Sequence, residues 1–379
     1  MSRPNYRPAI VAALVVLSPL TACGSDSNSS SEGLGNDIGQ LSSICPEVVV
    51  VQADWFPEAE HGATYQLLGD DYRVDSSEKS VRGSLIDPDG DDTGVDLEIR
   101  SGGAAIGFQP VTSIMGLDDS VMLGFVSTDA AALAFQDVQT TSVMAPLDKN
   151  PQVIMWDPET YPDVTSIADL GRSGITINVY PAPFLEVLTA DGVITSEQLD
   201  PSYDGSPARF VTAKGAIAQQ GFASSEPYLY QFEVPSWGRP LDYELIHDAG
   251  FEMYAQALAV RSDRIDEFRP CLTELVPMFQ RSAIQYARSP ERTNDLIVDV
   301  VDEFASTWIY SSGLAEYSVA TQLDLGLVGN GTDGTLGNFD LERIDRVLDQ
   351  LRDVGLDVPT DLRSDDLYTN EFIDPIMGL

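Results

Sequence analysis

Val48 to Val51 are four consecutive β-branched residues, and the stretch they open, VVVVQADWFPEAEHGATYQLLG over 48–69, restricts the fold more than any other. Such a run suits a strand that is covered by apolar groups on both faces, as a central parallel strand is. The strand runs out at Asp54-Trp55-Phe56-Pro57. A polar turn, Glu58-Ala59-Glu60-His61-Gly62, then leads into a short helical pattern carrying Tyr65, Leu67 and Leu68. Strand, loop and helix in that order put Trp55, Glu60 and His61 beyond the carboxyl end of a strand, where open α/β sheets meet their ligands.

The rest of the chain keeps alternating between strand and helix. Val81 to Ile86 and Val95 to Arg100 read as strands on either side of an acidic turn at Asp87-Pro88-Asp89-Gly90-Asp91-Asp92. The carboxylates of that turn miss the offsets of a calcium loop. Gly102-Gly103 and Gly107-Phe108-Gln109-Pro110 permit close backbone approach, as the rim of a cleft requires. Val121 to Val126 is a strand ending at Ser127-Thr128-Asp129. Strands follow at Val153 to Trp156, Ile175 to Tyr180 and Asp242 to Ile246, with a helix from Phe184 to Leu188, an extended Phe210-Val211 and a helical Lys214 to Ala218. Apolar stripes at helical spacing (Leu272, Leu275, Val276, Phe279; then Leu296 to Trp308; then Leu341, Ile344, Leu348, Leu351) fill the C-terminal third as core-packing helices. With 379 residues there is room for two α/β lobes. Crossings expected near 128–142 and at 253–260 divide the chain into lobe one (46–134 and 252–379) and lobe two (135–251).

Several chemistries are disfavoured by composition. The chain has 60 acidic and 21 basic residues, a net charge of −39, which makes nucleic acid a poor partner. Only two histidines, His61 and His247, are present, and neither C-x-x-C nor G-x-S-x-G occurs. Gly329 to Gly334 spells G-x-G-x-x-G, but the next helical pattern starts only near Asp340, so a surface loop is expected rather than a nucleotide site. No catalytic residue, cofactor or metal is expected.

Asp54, Trp55, Pro57, His61 and Tyr65 spell D-W-x-P-x-x-x-H-x-x-x-Y. This resembles the opening of extracytoplasmic solute-binding proteins of the nitrate/sulfonate/taurine and thiamine-pyrimidine-precursor type. Ser166 to Leu170 (SIADL) resembles a segment that precedes a strand in those proteins, and Ser225, Glu226 and Tyr228 match their lobe-two cleft edge. The resemblance implies a two-lobed, type 2 periplasmic-binding-protein-like fold with two hinge crossings. It implies a monomer that captures a small solute by closure and passes it to an ABC permease and ATPase. The expected ligand contacts are Trp55 by stacking, Glu60 and His61 as polar groups, Gln109 and Asp129 from lobe one, and Ser225, Glu226 and Tyr228 from lobe two. An aromatic platform with carboxylates suits a heterocycle such as a thiamine precursor, whereas nitrate or sulfonate would want Arg or Lys. Anion binding, a non-transport envelope lipoprotein and a secreted hydrolase are the alternatives.

The N-terminus reads as an address. Arg3 and Arg7 precede an apolar run, Ile10 to Leu17, too short to span a bilayer. Leu20-Thr21-Ala22-Cys23 resembles a bacterial lipobox, which implies a signal peptide over 1–22, a lipid on Cys23 and an extracytoplasmic protein that meets the membrane through that lipid alone. The Ser/Gly/Asn-rich stretch 23–44 reads as a tether. An exported setting permits Cys45 and Cys271 to pair, and free buried thiols are the alternative.

Overall fold

In the computed structural model, residues 41–306 and 308–379 are described. The expected signal peptide, Cys23 and the tether as far as residue 40 lie outside the described residues. Among those described, no helix is long and apolar enough to cross a membrane.

Two sheets form the two lobes. The first has seven strands in the order β2-β3-β4-β1-β5-β12-β6: β1 (Val48–Gln52), β2 (Arg73–Asp75), β3 (Ser80–Ile86), β4 (Asp92–Arg100), β5 (Leu123–Val126), β6 (Thr140–Met144) and β12 (Ala257–Arg261). β1 lies parallel to β4, with Val49 opposite Leu97, and parallel to β5 on its other side. The valine run explains this central place. Val49 and Val51 enter one hydrophobic core while Val50 enters another, so alternate side chains cement helical layers on both faces. The second sheet runs β11-β7-β10-β8-β9, from β7 (Gln152–Trp156), β8 (Ile177–Asn178), β9 (Leu199–Asp200), β10 (Ala218–Phe222) and β11 (Asp242–Leu245).

Helices α1 (Gly62–Tyr65), α2 (Val111–Leu117) and α3 (Thr128–Ala134) belong to lobe one, and α4 (Ile167–Ser173), α5 (Pro183–Ala190), α6 (Ala208–Thr212) and α7 (Glu226–Tyr228) to lobe two. After β12 come α8 (Ile265–Arg288), α9 (Glu291–Phe304), α10 (Ser312–Asp324), α11 (Leu341–Asp353) and α12 (Ser364–Leu367). α8 and α9 pack on lobe one, whereas α11 touches both α3 and α5 and so bridges the lobes.

Four expectations are corrected. β6 pairs with β12 in the first sheet, so the chain leaves lobe one after Met144 rather than at 134, and 135–144 are not part of lobe two. Thr140 and Ser142 of this segment are buried in the sheet. The return crossing likewise ends at Ala257, where β12 begins. Phe210 and Val211 are helical in α6, while Lys214 and Gly215 turn through positive φ and Ala218 opens β10, the reverse of the expected order. Trp308 falls outside α9, which Ala305 terminates in the left-handed region. α10 had no apolar stripe to announce it, because much of its buried face is Ser318, Thr321 and Gln322.

The N-terminal boundary also moves. Leu41 is fully buried against lobe one, so the ordered body begins before the expected end of the tether at residue 44. Cys45 and Cys271 are bridged, their Cα atoms 4.8 Å apart, tying the entry to β1 to the middle of lobe one through α8. Gly329 to Gly334 forms a turn closed by Gly334 N–H on the Gly331 carbonyl, with no helix opening at the glycines.

Candidate functional site

The loop leaving β1 is stitched to the loop leaving β4. Gly102 N–H donates to the Trp55 carbonyl at 2.8 Å and Gly103 N–H to that of Asp54 at 2.9 Å. Gly103 has φ +56°, and a Cβ there would lie 2.6 Å from the Trp55 ring, so only glycine lets this loop rest on the indole. Phe108, at the tip of the same loop, is 64% exposed, holds φ +58° and lies 6.1 Å from Trp55. On its other side Trp55 meets Trp308 edge-on at 6.0 Å, and the Trp308 indole N–H donates to the Pro57 carbonyl. Trp55 is thus a partly exposed ring braced on two sides.

Behind it the polar turn is buried, not solvated. Glu58, Glu60 and His61 are all inaccessible or nearly so. His61 Nε2 sits 2.8 Å from Asp54 Oδ1, and its ring lies against Phe125 at 4.8 Å. His61 therefore orients Asp54 from beneath. Gln256, just before β12, donates from Nε2 to both Asp54 oxygens at 3.1 Å.

The facing surface comes from the exit of β10. Ser224 Oγ donates to Glu60 Oε1 across the junction of the lobes. α10 secures the same segment: Tyr317 OH donates to the Ala223 carbonyl at 3.1 Å and Ser318 Oγ to the Ser224 carbonyl at 2.6 Å. Ala59 N–H donates to Tyr310 OH, which donates to Ser318 Oγ, completing a hydrogen-bonded path from the turn after β1 into lobe two. Glu226 accepts from Phe222 N–H at 2.7 Å and from Tyr203 OH at 3.3 Å.

These carboxyl groups perturb one another. Burial pushes Glu58 well above the ordinary glutamate range, and Glu60, Asp54 and Glu226 push it further. Burial also raises Glu60, partly offset by the Ser224 hydroxyl, and raises Glu226, with Glu60 adding to the effect. A cavity of about 20 Å³, room for one water, lies behind Glu60 beside Gln322 and Tyr286.

Of the sequence-predicted residues, Trp55, Glu60, Ser225 and Glu226 come together at this junction. Ser225 Oγ is buried without a partner. Tyr228 is turned into packing: its ring lies between Phe232 and Tyr317, and its hydroxyl presses on Gly313, where a Cβ would be 2.0 Å away. Gln109 is exposed beside Phe108. Asp129 accepts from Ser127 Oγ and Ala130 N–H, which uses its carboxylate in the first turn of α3, and burial raises its pKa. Sequence reasoning missed Glu58, Ser224, Gln256 and Tyr203 as members of the cluster. The available signal for Gln256 was one amide within the apolar run 253–260.

A second concavity, about 790 Å³, lies on the open face of β2–β4, where Arg82 pairs with Asp96 at 2.6 Å and Arg100 with Asp118 at 2.9 Å. Two of its arginines are thus ion-paired, Arg73 lines it as well, and it reaches the end of β4 at Arg100.

No protein-family model matches the chain, and no curated protein is similar to it in sequence. Solved structures are similar in fold. The alkanesulfonate-binding protein SsuA from Xanthomonas axonopodis pv. citri, bound to MOPS, has a TM-score of 0.54 at 10% identity, over 86% of this chain and 98% of that one. The periplasmic nitrate-binding protein NrtA from Synechocystis PCC 6803 has 0.53 at 9%, over 86% and 87%. A periplasmic sulfonate-binding protein SsuA from Methylobacillus flagellatus KT has 0.50 at 13%, over 86% and 92%. With its two sheets and two crossings, the chain has the periplasmic-binding-protein fold.

Proposed function

We propose that this chain is the solute-binding component of an ABC importer, held outside the cell by a lipid on Cys23, and that it works as a monomer. The observation that carries the reading is the junction itself. The exits of β1 and β4 present a braced Trp55 and buried acids, the exit of β10 presents Ser224 to Glu226, and two crossings, 145–151 and 246–256, are the connections about which the lobes would part. Capture follows from differential affinity: a solute that touches both lobes binds the closed form more tightly and shifts the equilibrium toward it. The solute-binding neighbours of the same fold support this role by analogy. They lend nothing to a thiamine precursor as ligand, and by name they bind anions.

The test is calorimetric titration of the protein with small solutes, repeated on Trp55→Ala, together with small-angle scattering. A solute that binds, contracts the protein and loses affinity in Trp55→Ala supports the reading. Turnover of esters without stoichiometric binding would replace it with a hydrolase. Retention of Cys23→Ser in the membrane fraction would remove the lipid anchor from the proposal.

A further inference from the structure

The inference concerns the charge of the solute and rests on the solute-binding reading above. Several acids elsewhere are paired with arginine: Asp157 with Arg239, Asp200 with Arg209, Asp96 with Arg82. Those at the junction are not. Among the described residues no Lys or Arg pairs with Asp54, Glu58, Glu60 or Glu226; the His61 ring is engaged with Asp54. Three of these acids come from lobe one and Glu226 from lobe two, so four carboxyl groups gather where the lobes meet.

A second observation points the same way. Gln256 is buried; its Nε2 donates to both oxygens of Asp54, which fixes the amide orientation, and its side chain also bonds Glu58. Its Oε1 is left as a buried acceptor with no donor. Ser225 Oγ, on the opposite side, is also unpartnered. A donor bearing positive charge would satisfy this cluster, and Trp55 and Phe108 supply the aromatic faces that attract one. The described residues contain no set of three His, Cys, Asp or Glu arranged to hold a metal ion, so the geometry favours an organic cation.

We propose that the solute carries a cationic nitrogen on a planar group, seated on Trp55, with its N–H donors shared among Glu58, Glu60, Glu226 and Gln256 as the lobes close. This departs from the anions named for proteins of the same fold, and it narrows the heterocycle expected from sequence to one that bears positive charge.

Three isosteric probes separate charge from shape: benzamidinium, benzamide and benzoate, each at millimolar concentration and physiological ionic strength, with benzenesulfonate, nitrate and calcium alongside. The readout is thermal melting of the full chain. Benzamidinium is expected to raise the melting temperature by roughly a few °C, and the neutral and anionic isosteres to leave it unchanged. Glu226→Gln should weaken benzamidinium roughly tenfold, as loss of a charge-assisted contact does. Phe108→Ala, at an exposed position that spares folding, should weaken it as well, which separates the cleft from the acidic outer surface. Stabilisation by benzoate, benzenesulfonate or nitrate that Phe108→Ala removes would leave the solute-binding reading standing and overturn the cation. A benzamidinium shift unchanged in both variants, or a shift with calcium alone, would also overturn it. No shift with any probe would count against both.

Discussion

Ser224 Oγ donates to Glu60 Oε1, and both residues are buried, so one hydrogen bond joins the exit of β10 in lobe two to the turn after β1 in lobe one. Removing one partner strands the other. Ser224→Ala should cost about 1–3 kcal/mol, because the buried Glu60 carboxyl loses a hydrogen-bond donor. A double-mutant cycle with Glu60→Gln, followed by urea unfolding, should return a coupling of roughly 0.5–3 kcal/mol. A coupling indistinguishable from zero would mean that the lobes are not held here.

The acid cluster makes stability depend on pH in an unusual direction. Burial raises Glu58, Glu60 and Glu226 above their ordinary value of 4.5, so in the window above it the folded form holds more protons than the unfolded chain. Their contribution is therefore fully present below about pH 4.5 and is lost as pH rises through the folded values. His247 acts oppositely. Its pKa is lowered from 6.5 to about 4 by burial and then by Arg343, so its contribution is lost as pH falls through that window. Melting of wild type and Glu58→Gln between acidic and mildly alkaline pH isolates the glutamate term: the difference should grow in favour of Glu58→Gln as pH rises.

Arg343 of α11 holds both crossings. It is 6% exposed, donates to the Glu252 and Met253 carbonyls of the return crossing, reaches Asp148 of the first at 3.3 Å and lies 4.0 Å from the Tyr254 ring. Arg343→Met should cost about 3 kcal/mol, since it leaves Asp148 without its cation and two carbonyls without donors. Arg343→Lys should recover only part, because an ammonium cannot reproduce the planar fork. If the hinge is held by this side chain, Arg343→Met should also broaden the small-angle scattering of the ligand-free protein; an unchanged profile would confine Arg343 to local packing.

The Cys45–Cys271 bridge closes a separation of 226 residues. Paired Cys45→Ser and Cys271→Ser should lower stability by roughly 2–5 kcal/mol, read as a fall in denaturation midpoint that reducing agent reproduces in the wild type.

Much of the fold was legible because its signals are local. Val48 to Val51 announces a doubly covered strand, and the stripes of α8, α9 and α11 announce their packing faces. The site was half legible. Trp55, Glu60 and His61 follow from their place beyond a strand, but the burial of that turn under the 223–226 segment and α10 does not. Gln256 stands about 200 residues from its partner Asp54, and no local pattern carries that contact. The first crossing was misplaced because β6 carries polar Thr140 and Ser142 and announces itself by no apolar run; its pairing with β12 is what buries them.

The disulfide also has a mechanical consequence. Tension applied to the chain ahead of Cys45 passes into α8 through Cys271 before it can reach β1. The strand from which Asp54 and Trp55 hang is thereby insulated from pulling on the N-terminal side, and the load is taken by a helix on the body of lobe one. Whatever the N-terminal segment is fastened to, the geometry of the junction does not have to bear its drag.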